Sequence, residues 1–380
     1  MAIEFPARWK ITSLKAIDYE IVYSPTLFDY GQGSLLDESG GDRRLVFIDS
    51  VVLSTYKSTI ESYFSQHAPG SMVISIESNE TLKTLESSLQ LIKYMEDFGI
   101  LRRSEPVIAI GGGTLLDSVG FACSIYRRGI PYIRIPTTLL GIVDVSVAIK
   151  TGVNHLDRRN RLGTYYPPKA VYLHRKFIET QSEREISNGL GEILKLGIIT
   201  DISLFILLEE NASLLRREKF QYGAVPVQVI NRAISSMMNN LQNNLWEDNL
   251  LRVVDFGHSF SPLIELKNLP ELLHGEAVAL DCLYSSCLAL TRELITESDV
   301  KRIFQVCKNL GLPIFHKDFL DVDLLDSALQ DTVKHRNGNQ NLPIPIGIGT
   351  YQFLNDVGLD DLNRTSNEFL RISEAFCEKI

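Results

Sequence analysis

The chain lacks long hydrophobic runs. None of its 380 residues falls in a window approaching the roughly 18 apolar residues needed to span a bilayer, so no membrane contact is expected. Residues 1–15 carry no apolar core of signal-peptide type. Cysteine is scarce: Cys123, Cys282, Cys287, Cys307 and Cys377 are scattered, odd in number and without a C-x-x-C pair. That pattern excludes a disulfide framework and fits a reducing cytoplasm. Basic runs are also missing. With 38 Lys and Arg against 47 Asp and Glu the net charge is −9, which argues against nucleic acid as a partner. Internal repeats and low-complexity segments are not evident.

What remains is ordinary for a soluble globular protein, with 44% hydrophobic and 22% charged residues and enough length for two domains. Strand-like runs at 44–49, 72–76, 107–110 and 131–136 alternate with helical patterns, among them one from about Glu80 to Phe98. This alternation predicts a parallel α/β sheet. Near residue 180 the texture turns helical, with patterns at 201–215, 223–245, 274–293, 296–310 and 322–334. The expected organisation is an α/β domain over 1–175 and an α-helical domain over 176–380, with peripheral ends at 1–15 and about 365–380. A cleft between two such domains is a common place for a small molecule.

Val107-Ile108-Ala109-Ile110 runs straight into Gly111-Gly112-Gly113 and then an apolar helix start. Glycine lets the backbone turn sharply and lets an anion approach the peptide N–H groups, so this turn suits a phosphate or pyrophosphate. The run does not match G-x-G-x-x-G, and a tight turn without a ligand is the plain alternative. Asp255-Phe256-Gly257-His258 and His274-Gly275-Glu276 set two histidines sixteen residues apart in glycine-marked settings. With Glu192, in Gly189-Leu190-Gly191-Glu192, they would form a two-histidine, one-carboxylate site for a catalytic metal. The alternative is two capping histidines. Glu192 and Lys195 share a helix face, and their apolar neighbours make a freely solvated pair unattractive. Asp144 and Lys150 interrupt an apolar run, and Lys150 could hold a phosphate as a point charge. Arg127-Arg128, Arg158-Arg159-Asn160-Arg161 and Lys334-His335-Arg336 are basic clusters that suit an anionic substrate, though each arginine alone reads as a solvated surface residue.

These pieces, taken in order, resemble the sugar phosphate cyclases, the dehydroquinate synthase-like enzymes. GGGTLLD, Tyr126-Arg127-Arg128-Gly129, Pro136-Thr137-Thr138-Leu139, Asp144 with Lys150, Gly189-Leu190-Gly191-Glu192 with Lys195, Phe256-Gly257-His258 and His274-Gly275-Glu276 occur in that order, and the resemblance runs from about residue 44 to 350. The resemblance implies a Rossmann-like N-terminal domain that holds NAD, a helical C-terminal domain that holds zinc or cobalt, and a homodimer. It implies metal ligation by Glu192, His258 and His274. NAD contacts carry over to Asp49, Glu80, Lys83, Gly112, Gly113, Asp117, Thr137, Thr138 and Asp144. Substrate handling carries over to Asp144, Lys150, Asn160, Lys195 and Glu247, with Arg128 on the phosphate.

Departures within the family point to a subgroup. Leu251 stands where dehydroquinate synthases have a carboxylate-gripping arginine, and Met237 or Met238 stands near the matching lysine. Pro262 replaces a second histidine, and Arg159-Asn160 replaces a Lys-Asn pair. An aliphatic side chain cannot grip a carboxylate, so the substrate is expected to lack one. Phe256–Pro262 and Lys150–Asn154 are similar to the sedoheptulose 7-phosphate cyclases. The implied product is a C7 cyclitol, 2-epi-5-epi-valiolone or 2-epi-valiolone. Desmethyl-4-deoxygadusol synthase (suggested by Thr350), 3-dehydroquinate synthase and a metal-dependent polyol dehydrogenase are the alternatives. The implied chemistry is oxidation of one alcohol, elimination of phosphate, return of the hydride and aldol closure of the ring.

Overall fold

Four apolar residues buried on both faces place one strand, Val107–Gly111, in the middle of a parallel sheet, as such runs do. The computed structural model describes residues 10–13, 16–29, 35, 43–156 and 158–377, so most of the expected N-terminal end lies outside the described residues. The α/β part contains β1 (Glu20–Tyr23), β2 (Leu45–Asp49), α1 (Ser50–His67), β3 (Met72–Ile76), α2 (Leu85–Phe98), β4 (Val107–Gly111), α3 (Gly113–Ile125) and β5 (Tyr132–Pro136). An antiparallel hairpin, β6 (Lys150–His155) and β7 (Arg158–Tyr165), precedes β8 (Ala170–Leu173). The six-stranded sheet has the order β1-β8-β5-β4-β2-β3, and every pairing is parallel. The order reverses between β2 and β4, so a crevice opens where their carboxyl ends, Asp49 and Gly111, diverge. Ligands bind open α/β sheets at such switch points.

The chain then becomes helical: α4 (Glu183–Ile199), α5 (Ile202–Arg217), α6 (Val225–Leu241), α7 (Ser261–Lys267), α8 (His274–Thr291), α9 (Glu297–Asn309) and α10 (Val322–His335). A hairpin of β9 (Leu342–Pro345) and β10 (Tyr351–Leu354) follows, and then α11 (Leu359–Cys377). α4 and α8 lie at the centre of this part, with 13 and 15 buried residues respectively, too many for one amphipathic stripe.

Three expectations need correction. The pattern read as one helix from Glu80 to Phe98 is a 3-10 turn, Glu80–Leu82, followed by α2 from Leu85. The break arises because the Lys83 carbonyl accepts from Asn154 N–H, which pins residues 83 and 84 to the β6–β7 hairpin. The C-terminal segment is not peripheral: Phe369 and Ile372 of α11 are fully buried in the helical core. The hairpin itself was not anticipated. Its exposed alternation carries little apolar signal, with the β7 pattern only half-buried at best.

Candidate active site and metal centre

The glycine turn closes β4 and opens α3 at the switch point. Gly112 caps α3 without any side-chain hydrogen bond, so the first N–H groups of the helix are left to the crevice. The space above it is tight: a Cβ on Gly112 would sit 3.3 Å from Thr138 Cγ2, and one on Gly113 would sit 3.1 Å from Val145 Cγ2. Asp49 flanks the turn, accepting from Val51 N–H at 2.9 Å and from the Ser78 hydroxyl at 2.6 Å. Lys83, buried, donates to Asp117 at 2.7 Å and Asn160 at 2.6 Å, which joins the first α3 turns to the hairpin. A glycine cradle flanked by a strand-end acid fits a dinucleotide.

The metal cluster is built where α4 crosses α8. At this crossing a Cβ on Gly191 would collide with the Gly275 carbonyl oxygen, and one on Gly275 would collide with that of Asn188. Glycine at both positions lets the backbones touch, which brings their neighbours Glu192 and His274 together. His258 arrives on the loop before α7. That loop is fixed by Asp281 of α8, whose Oδ2 accepts from the N–H groups of Ser259, Phe260 and Ser261 at 2.9, 2.6 and 2.8 Å. Asp281 thereby caps α7, and Pro262 in the first turn lacks a donor that would need a partner.

Glu192 Oε1 lies 3.4 Å from His258 Nε2 and 3.2 Å from His274 Nε2, and the three ligand atoms fall within 4.8 Å of one another. Glu192 is buried, yet neither carboxylate oxygen receives a hydrogen bond of suitable geometry. Lys195 balances the charge from the Oε2 side, while Oε1 faces the two histidines, where a metal could sit. Glu265 Oε2 stands 3.0 Å from His274 Nδ1, leaving Nε2 for the centre, the carboxylate–histidine arrangement typical of metal ligands. The donor set therefore fits a divalent ion of the zinc type.

The charges of the three side chains differ, and His274 would give up a proton on binding a metal. Burial opposes ionisation of Glu192, but Lys195, 2.5 Å away, and the two histidines outweigh it and hold the carboxyl well below its usual range. Burial and Lys195 push His258 down to about 3, so its ring is neutral and free to ligate. Burial also works against a charged His274, but Glu265 and Glu192 prevail and raise it to about 10. Burial and then Glu192 raise Asp144. Lys195 stays protonated because Glu192 and Asp144 outweigh its burial.

At the outer end of the cleft Glu247 gathers three donors: Lys150 at 2.9 Å, Arg252 at 2.5 Å and the Tyr165 hydroxyl at 3.2 Å. Arg252 also pairs with Asp255 at 2.7 Å, and Arg336 reaches Asp255 at 3.2 Å. The segment leading into Lys150 is clamped by buried Arg134, whose guanidinium donates to the carbonyls of Val145, Ala148 and Lys150.

The structure thus gathers Asp49, Gly112, Gly113, Lys83, Asp117, Thr137 and Thr138 around the crevice and Glu192, His258, His274, Lys195 and Asp144 around the metal cluster. Glu80 and Asn160 lie between them, and Lys150 and Glu247 stand at the mouth. Arg128 is not at the glycine turn. It is exposed at the far end of α3, and thirteen helical residues, about 20 Å, separate it from Gly112. Of the Lys334–Arg336 cluster only Arg336 turns inward, with Lys334 and His335 exposed. Leu251 is 51% exposed, so a carboxylate facing it would keep much of its water, which weakens the expectation drawn from its aliphatic side chain. Glu265, Asp281, Arg252 and Tyr165 were not foreseen. Glu265 and Asp281 act through their neighbours; Asp281 stands out as an acid in an otherwise apolar helical pattern, whereas Glu265 does not.

Comparison with known proteins extends this picture. The 3-dehydroquinate synthase N-terminal family model matches residues 73–188, and the 3-dehydroquinate synthase C-terminal model matches residues 189–334. A 2-epi-5-epi-valiolone synthase of Streptomyces albus is 46% identical over 358 residues, covering 92% of this chain and 87% of that protein. A demethyl-4-deoxygadusol synthase of Trichormus variabilis is 33% identical over 360 residues, covering 93% of this chain and 87% of that protein. Among solved structures, ValA, the 2-epi-5-epi-valiolone synthase of Streptomyces hygroscopicus subsp. jinggangensis, matches with a TM-score of 0.92 at 42% identity. The match covers 97% of this chain and 100% of that one, and the ValA structure has NAD+ and Zn2+ bound. With both halves of one family signature matched in tandem and such identity along nearly its whole length, the chain belongs to the 3-dehydroquinate synthase family of sugar phosphate cyclases.

Proposed function

We propose that the protein converts sedoheptulose 7-phosphate into the C7 cyclitol 2-epi-5-epi-valiolone with loss of phosphate, as an NAD- and divalent-metal-dependent cyclase. The observation that carries this reading is the Glu192–His258–His274 cluster set beside the glycine crevice, in a chain 46% identical to a 2-epi-5-epi-valiolone synthase. Residues 1–175 form the nucleotide domain in this reading, and residues 176–380 hold metal and substrate. Asp49, Glu80, Lys83, Gly112, Gly113, Asp117, Thr137, Thr138 and Asp144 hold the nucleotide. Glu192, His258 and His274 hold the metal.

When bound, NAD supplies reversible oxidation of a secondary alcohol and the metal supplies Lewis-acid polarisation of neighbouring oxygens. The chain's own groups position and protonate. Lys195 keeps an ammonium next to Glu192 and Asp144, so the anionic side of the pocket stays balanced. Asp144, beside Glu192 and Lys195, is placed to accept a hydrogen bond from a sugar hydroxyl. Lys150, whose side chain is 52% exposed, offers its Nζ to the phosphate in exchange for Glu247. Asn160 and Glu247 orient hydroxyls. Arg128 contacts the phosphate in this reading, and the protein is a homodimer. The proposed location is the cytoplasm.

The test is incubation with sedoheptulose 7-phosphate, NAD+ and Zn2+ or Co2+, followed by product NMR. Phosphate release, no net NADH and the 2-epi-5-epi-valiolone spectrum are expected. Accumulating NADH would replace the cyclase with a polyol dehydrogenase. Turnover of 3-deoxy-arabino-heptulosonate 7-phosphate in its place would assign a dehydroquinate synthase.

A further inference from the structure

Arg159 is a single guanidinium shared by two acids from different parts of the fold. Its Nε donates to Glu80 Oε1 at 2.9 Å, and its Nη1 donates to Glu265 Oε1. Glu80 belongs to the turn before α2, where its other oxygen receives the hydroxyl of Thr114 in the first turn of α3, at 3.5 Å. Asn154 of the hairpin donates to Glu80 Oε1 at 2.9 Å. Glu265 belongs to α7 and uses its second oxygen to hold His274 Nδ1. A polar chain therefore runs Thr114–Glu80–Arg159–Glu265–His274, from the first turn of α3 to a metal ligand, and His274 Nε2 stands 3.2 Å from Glu192 Oε1. The arginine side chain is only 22% exposed and Glu265 4%, so water screens this chain weakly.

We propose that Arg159 is a positioning residue that makes nucleotide and divalent metal bind cooperatively. This rests on the ligand and nucleotide assignments above. A nucleotide that orders Glu80 also orders Arg159. The guanidinium then fixes Glu265, which keeps the His274 Nδ1 proton in place and aims Nε2 at the centre. Binding one cofactor leaves less ordering for the other, and the coupling is reciprocal.

The experiment measures zinc affinity of the metal-free protein by competition with a chromophoric chelator, with and without NAD+, and NAD+ affinity with and without zinc. In the wild type each cofactor tightens the other by the same factor, between about 5- and 150-fold. Arg159→Met weakens zinc by roughly 10- to 100-fold and abolishes the mutual effect. Arg159→Lys keeps the charge but reaches one acid at a time, so it stays folded, binds zinc with intermediate affinity and loses most of the coupling. Arg161→Met, an exposed neighbour on β7, leaves both affinities unchanged. Unchanged zinc affinity and coupling in the Arg159 variants would overturn the inference while leaving the metal centre intact, as would the same losses in Arg161→Met. A wild type that binds no zinc would instead overturn the centre itself.

Discussion

Glu265 shows how a residue that touches no reactant sets the behaviour of one that does. It holds His274 Nδ1 from one side and is held by Arg159 from the other. Glu265→Ala removes the acceptor and lets the ring turn, so zinc affinity should fall by about 10- to 100-fold, measured by chelator competition. Fold should persist, since the lost contacts sit at one end of the short helix α7 and the Asp281 cap remains. Equal zinc affinity in variant and wild type would remove Glu265 from the centre. No residue-level signal in the chain singles it out: Glu265 follows Leu263 and Ile264 like any acid on a helix. Glu192 and the two histidines were legible because glycine marks each of them and because a buried Glu–Lys pair has few uses outside a site.

Between elements, the decisive contact is glycine against glycine. α4 and α8 approach until the backbone at Gly191 meets the carbonyl of Gly275, while Gly275 N–H donates to Asn188 Oδ1 at 2.6 Å. Gly191→Ala forces a methyl group into that carbonyl. Overpacking of this kind costs about 1–3 kcal/mol. The helices must part, and Glu192 and His274 part with them. The expected outcome is a lower melting temperature together with loss of stoichiometric zinc. A variant that melts earlier but binds zinc normally would separate the crossing from the site. The Gly-Leu-Gly-Glu and His-Gly-Glu patterns were visible in the chain, but periodicity could not reveal that they meet. The break at Lys83 has a similar origin: local helical spacing runs through it, and a hairpin more than sixty residues later overrides it.

For the whole molecule, two cofactor sites on one folded chain make stability depend on occupancy. Saturation at about 100 times the dissociation constant adds roughly 2.7 kcal/mol per ligand. Zinc and NAD+ should therefore each raise the melting temperature in scanning calorimetry, and a chelator should reverse the zinc shift. Absence of any shift would mean that the folded chain holds neither. Acid should act in the opposite direction. Burial tends to raise Glu80, Glu105, Asp318 and Asp361, but the cations beside them prevail and keep each carboxyl below its ordinary value. Groups with depressed folded-state pKa values contribute stability above their unfolded values near 4, and that contribution is lost as pH falls through the folded ones. Melting temperatures by circular dichroism should begin to fall below about pH 6.5, where unfolding lets the neutral His258 and His174 gain protons, and should drop more steeply below about 4.

Length, patterning and the order of short motifs were enough to specify a parallel α/β part followed by a helical part, and to single out Glu192, His258 and His274, which the fold brings together. Those properties are local: a buried parallel strand needs a continuous apolar run, a phosphate turn needs glycine, and a ligand needs its own donor atom. Contacts between distant segments were beyond such reading. The α4–α8 crossing, the Asp281 cap on the His258 loop, the Arg159 bridge from Glu80 to Glu265 and the inward turn of Arg336 each join residues far apart in the chain. Only packing the helices and the hairpin against one another settles which of many similar acids and arginines finds a partner, because a buried charge must be matched by whichever opposite charge the fold delivers to it.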